Sequence, residues 1–139
     1  MLRIGAAAIA CAALASPGFA IDFEENDRGQ IEFVMPSGNI GCIYTPKGGT
    51  DTYEPMDGGP ELSCDRVEPA YVRVKFGPSG FPGKFTEVGD ASCCGSDNVF
   101  GYGEVWSEGP VTCWSFTWGL KCRRDNYGFS MSRNLITLD

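Results

Sequence analysis

From residue 30 onward, apolar and polar residues alternate along most of the chain at the two-residue period of a half-buried strand. Ile31, Phe33 and Met35 share one face. Pro36-Ser37-Gly38-Asn39 then supplies turn chemistry, because proline presets φ and Gly and Asn tolerate positive φ. Ile40 to Thr45 returns, so residues 31–45 predict a hairpin. Tyr71 to Phe76 is the clearest strand: Val72, Val74 and Phe76 face one way, Tyr71, Arg73 and Lys75 the other. Lys84 to Val88 is weaker. Asn98 to Trp106 is interrupted by Gly101 and Gly103, which predicts a kinked or bulged strand.

Val111 to Phe116 and Leu120 to Arg124 flank Thr117-Trp118-Gly119. A two-residue loop there sets Cys113 directly opposite Cys122; a type I turn with a bulge at Gly119 shifts the register by one. Tyr127, Phe129 and Met131 alternate with small residues, and Ile136 and Leu138 close the chain. No segment keeps a 3.6-residue apolar period. The expected fold is all-β: a small antiparallel sheet, barrel or sandwich. Residues 46–60, rich in Gly, Pro and Asp, form the longest loop, and a loop of that length is usually functional or mobile.

The first twenty residues follow a different rule. Arg3 precedes an Ala-rich apolar run from Ile4 to Leu14, and Gly18-Phe19-Ala20 puts small residues at the two recognition positions of a signal-peptide cleavage site. The run is far shorter than the roughly 20 residues of a membrane-spanning helix. The expected organisation is a signal-peptide helix over residues 1–20, cut after Ala20, a flexible acidic arm over 21–30, and one domain over 31–139. Lipoprotein processing at Cys11 is the rival reading. It is disfavoured because Ala8 stands where a larger aliphatic residue is usual.

Seven cysteines then change the picture. Cys11 lies in the export segment, which leaves Cys42, Cys64, Cys93, Cys94, Cys113 and Cys122 as an even set, the signature of a disulfide framework in a small exported domain. Cys113–Cys122 follows from the hairpin register, and Cys42–Cys64 would tie the base of the 46–60 loop. Cys93 and Cys94 then either close a small vicinal ring, inert or redox-active, or cross-pair with Cys42 and Cys64. The sequence leaves this open.

The formal net charge of −7 becomes −8 when Arg3 is cleaved off, which argues against nucleic acid and anionic membranes as partners. There is no histidine, so Ser-His-Asp and Cys-His catalysis are excluded, as is the commonest metal ligand. The cysteines lack paired C-x-x-C zinc spacing. No metal or cofactor is expected. Glu87, Asp90 and Asp97 read as turn-capping acids rather than a hydrolytic pair or a calcium site. Trp114, Phe116 and Trp118 form a stripe that either fills the core, the favoured reading, or offers a platform for a sugar or peptide. Lys121, Arg123, Arg124 and Arg133 are basic residues in an acidic chain: internal partners for surplus acids, or an anion site.

Several motifs together resemble a family of small exported bacterial proteins classed as a domain of unknown function. They are Pro36-Ser37-Gly38-Asn39-Ile40-Gly41-Cys42, Cys64-Asp65, Cys94-Gly95-Ser96-Asp97 with Tyr102-Gly103, the Cys113 to Cys122 hairpin, and Gly128-Phe129-Ser130-Met131-Ser132-Arg133. Where many members carry a histidine before the closing Gly-Phe, this chain has Tyr127. The resemblance implies no activity. The functional expectation is a monomeric, non-enzymatic secreted or periplasmic domain that binds an unidentified protein or an envelope glycan. The alternatives are an inhibitor of a basic envelope-degrading enzyme, of the lysozyme-inhibitor kind, or a redox protein acting through Cys93-Cys94.

Overall fold

In each half of the domain, buried side chains recur at every second residue, and each half folds into an antiparallel sheet. The structure, a computed structural model, describes residues 18–139, and no helix occurs among them. The signal-peptide helix expected at the N-terminus lies outside the described residues, apart from its last three positions. Eleven strands form: β1 (Phe19–Ile21), β2 (Ile31–Val34), β3 (Ile40–Thr45), β4 (Glu61–Arg66), β5 (Val72–Phe76), β6 (Gly83–Phe85), β7 (Glu104–Glu108), β8 (Val111–Phe116), β9 (Gly119–Arg124), β10 (Tyr127–Met131) and β11 (Ile136–Leu138). They make a five-stranded sheet, β2-β3-β4-β5-β6, and a six-stranded sheet, β1-β7-β8-β9-β10-β11. All pairings are antiparallel except β1 with β7.

One central row crosses each sheet. In the first it runs Phe33, Cys42, Cys64, Val74. In the second it runs Ile21, Trp106, Cys113, Cys122, Phe129, Leu138. Both rows point inward and share one core. The two cross-strand disulfides, Cys42–Cys64 and Cys113–Cys122, sit mid-row, each with a Cα–Cα separation of 4.1 Å. Aromatic clusters flank them. Phe33 meets Trp106 and Phe100, each with ring centroids 5.1 Å apart, and Phe76 meets Phe129 at 5.8 Å. These contacts join β2 to β7 and β5 to β10, so the core lies between the sheets.

Two expectations change, and one strand is new. The segment 21–30, expected as a loose arm, is tied in at its start: Ile21, at the end of β1, lies opposite Trp106 of β7, and the Phe23 ring stacks on Phe33 at 5.4 Å. The kinked strand is two pieces. Asn98 to Phe100 runs parallel to Val34 along the free side of β2, and β7 begins after the turn at Gly101–Gly103. Residues 61–66, which lie outside every expected strand although Leu62 and Cys64 alternate with Glu61, Ser63 and Asp65, form β4, a strand at the middle of its sheet.

Candidate functional site

Strand parity decides which groups reach the surface. Cys42 and Cys64 point inward, so Gly41, Ile43, Ser63 and Asp65 point outward, with Arg73 and Lys75 beside them in register. This outer face of the five-stranded sheet is the floor of an open cleft of about 620 Å³. Thr52 and Tyr53 of the long loop form one wall, and Asp90 with Ser92 to Ser96 forms another.

The second wall carries Cys93 and Cys94, which pair with each other. The crossed arrangement with Cys42 and Cys64 does not form, because those two face each other across β3 and β4. Both sulfurs rest on Gly41. A Cβ there would lie 2.9 Å from each Sγ. A glycine inside a strand is a signal of close approach by another group, and here that group is the vicinal disulfide.

A charged network fixes the same wall. Arg73 donates from Nε to Asp65 Oδ1 at 2.7 Å and from Nη2 to Asp65 Oδ2 at 2.8 Å, while its Nη1 reaches Asp90 Oδ1 at 2.7 Å. The Tyr71 hydroxyl donates to Asp65 Oδ2 and accepts the Cys93 N–H at 3.2 Å. The two-pronged Arg–carboxylate pair fixes direction as well as distance. Hydrogen bonding to Asp65 holds the Arg73 pKa above its ordinary value, against the desolvation that lowers it. Burial first, then the bond to Asp65, raises Tyr71. Arg73 lowers the pKa of exposed Asp90.

The opposite wall is held by Tyr53, whose hydroxyl donates to Glu61 Oε1 at 2.7 Å. Burial, then this bond, pushes the phenol up to about 12. The neutral phenol is therefore favoured in the folded protein. Its contribution to loop anchoring is complete below pH ~10, the ordinary tyrosine value, and fades as pH rises toward the folded value. An ultraviolet titration should show one tyrosine ionising near pH ~12, and Glu61→Gln should bring that step down toward ~10. An unchanged step in the variant would remove Glu61 as a cause. Between the walls, Lys75 has no carboxylate partner among the described residues; its Nζ lies 6.0 Å from the ring centroids of Tyr53 and Phe85.

No family model, curated protein or solved structure matches this chain. The resemblance noted above therefore rests on its motifs alone, and the functional reading must come from the site.

The expected binding residues lie on the other sheet and divide. Trp114 and Phe116 point out of β8, and Trp118 sits at the hairpin tip; the buried tryptophan is Trp106. The stripe is therefore not core. Phe116 and Trp118 stack with centroids 5.1 Å apart and an interplanar angle of 11°. With Arg133 they line a second cavity of about 220 Å³. Arg123 pairs with Asp139 at 3.5 Å. Arg124 is no surface group. It is 2% exposed, donates to the carbonyls of Gly77 and Gly80, and lies 4.4 Å over the Phe76 ring. Arg124→Ala should cost about 2 kcal/mol, through lost packing and two orphaned carbonyls, read as a lower denaturant midpoint. A change under about 0.5 kcal/mol would mean this cation is dispensable.

Proposed function

We propose that this chain is an exported bacterial binding domain, non-enzymatic, and that the cleft across the outer face of the five-stranded sheet holds its ligand. The observation that carries this is the cleft itself. It is wide and open, and its walls are fixed by bonds that lead from Asp65 to Arg73, Asp90, Tyr71 and Cys93. Pre-formed walls reduce the ordering cost of binding. The acids and Arg73 are spent on one another, so they position surface rather than activate a nucleophile. Lys75, Ser63, Ile43 and the Tyr53 ring remain as groups for a partner. Disulfides fit an oxidising compartment outside the cytoplasm. No described helix is long and apolar enough to cross a membrane.

Export follows from the leader pattern of residues 1–20. Cleavage after Ala20 would remove Phe19 and Ala20 from β1 and keep Ile21 and Phe23, which pack on the core. The binding reading is tested by pull-down from envelope extract with the chain from Ile21 onward and with Ser63→Trp, which fills the cleft floor. Loss of the captured component with Ser63→Trp supports the cleft. Equal capture by both overturns it. A captured basic hydrolase whose activity falls in the complex would make the domain an inhibitor.

A redox role is the second reading, favoured by the position of Cys93–Cys94 in the cleft wall. Both residues are half-exposed, whereas Cys42, Cys64, Cys113 and Cys122 are at most 2% exposed. Limited thiol treatment followed by alkylation should therefore label Cys93 and Cys94 first. Simultaneous labelling of all six would remove the basis for a selective redox pair.

A further inference from the structure

From the second cavity we infer a separate site for a carboxylate-bearing sugar unit, bound on the Trp118 ring with its acid group at Arg133. The inference rests on the binding-domain reading but not on the cleft, whose residues it does not use. Four motifs far apart in the chain converge here. The Pro36 to Asn39 turn contributes Ser37 and Asn39, the aromatic-Gly step contributes Tyr102, the cysteine hairpin contributes Phe116 and Trp118, and the closing Ser-Arg contributes Arg133.

Each part has chemistry suited to such a ligand. Phe116 and Trp118 are stacked almost parallel, and both are exposed, Trp118 to 51%. A flat aromatic face of this kind takes the C–H face of a pyranose, and Tyr102, 48% exposed, lines the same cavity. Arg133 is exposed and has no carboxylate within 4.0 Å among the described residues, in a chain of net charge −7. Where acids are in excess, a guanidinium left without one is available to an anion from outside, and its planar fork suits a carboxylate. The cavity, about 220 Å³, is of the order of one sugar ring rather than a folded partner.

Its rim is also held in place. Ser132 donates its N–H to Leu135 O at 2.8 Å, and its carbonyl accepts Arg66 Nη1 at 3.3 Å, so the turn bearing Arg133 is tied to β4. Asn39 exchanges two bonds with the Glu68 backbone, at 2.9 and 2.7 Å, which fixes the other side. A peptide carboxylate would meet the same arginine, but the exposed stacked rings favour a ring-shaped occupant.

The test titrates the chain from Ile21 onward with tetrasaccharides of galacturonate, glucuronate and mannuronate and with their methyl esters, followed by tryptophan fluorescence and calorimetry. At least one acid should bind about tenfold tighter than its ester, because the ester cannot form the charge-assisted bond. Arg133→Gln should bring acid and ester within about twofold of each other while leaving ester binding in place. Trp118→Ala should weaken both. Ser63→Trp, in the cleft, should change neither, so failure of the cleft reading and failure of this one are distinguishable. Equal binding of acid and ester, a preference that survives Arg133→Gln, or no saccharide binding up to roughly 10 mM would each overturn the inference. Binding of acidic peptides alone would overturn it too.

Discussion

Replacing both Cys42 and Cys64 with alanine is expected to destabilise the protein more than any other pair of substitutions proposed here. The bridge spans 22 residues of sequence, including the long loop, whereas Cys113–Cys122 spans 9. Chain-entropy arithmetic gives about 3.5 kcal/mol for the first loop and about 2.5 kcal/mol for the second. Both bridges lie mid-row in the core, so alanine also removes buried sulfur and leaves space unfilled. For a domain of this size the first variant should melt about 10 °C or more below the parent, and the second somewhat less far below. Calorimetry on the two double variants checks the order as well as the size. A shift under about 3 °C for Cys42→Ala/Cys64→Ala would show that packing alone holds β3 to β4. Cys113–Cys122 should matter less for a further reason: the two-residue turn Thr117–Trp118 already sets that register.

The same parity that places these bridges explains what the sequence made legible and what it hid. Alternation revealed the hairpins, and the short connection made Cys113 and Cys122 neighbours in either of two registers, of which the structure has the two-residue loop with the pair directly opposite. The long loop between Cys42 and Cys64 was legible from its Gly, Pro and Asp content, but their pairing was not: it is decided by the register of β3 on β4, which the sequence left open against a crossed arrangement with Cys93 and Cys94. The face of each tryptophan was available too. Cys113 and Trp114 are adjacent in one strand, so a buried disulfide forces Trp114 outward, and with it Phe116. Arg124 shares the parity of Cys122 and so points in, although its chemistry suggested the surface. An aromatic stripe and a basic cluster were each read by composition, where the deciding quantity was register against a buried cysteine. Other features had no local signal. The pairing of β1 with β7 and the running of Asn98–Phe100 along β2 join segments far apart in the chain. Phe23 carries no period of its own and is half-buried because Phe33 and Phe100 meet it.

Gly41 is where that reasoning has its sharpest consequence. A glycine-to-alanine change inside a strand ordinarily stabilises, by roughly 0.4–1 kcal/mol, because it restricts the unfolded chain. Here the sign should reverse. The new Cβ would lie 2.9 Å from both sulfurs and 3.0 Å from the Cys94 Cβ, and a disulfide ring cannot swing aside as the end of a long side chain does. Gly41→Ala should therefore cost about 1–3 kcal/mol, the usual cost of overpacking, and Gly41→Val more. The loss should also be local. Lifting Cys93 breaks its bond to the Tyr71 hydroxyl and frees one wall of the cleft, so Cys93 and Cys94 should react with thiol faster in Gly41→Val than in the parent. Gly38→Ala is the control. Its φ of 75° strains any side chain, but nothing lies within 4 Å of a Cβ there, so it should lose stability without changing that reactivity. If Gly41→Val keeps both the denaturant midpoint and the thiol reactivity of the parent, the two sulfurs do not rest on this strand in solution. The cleft then lacks the wall on which the binding reading depends.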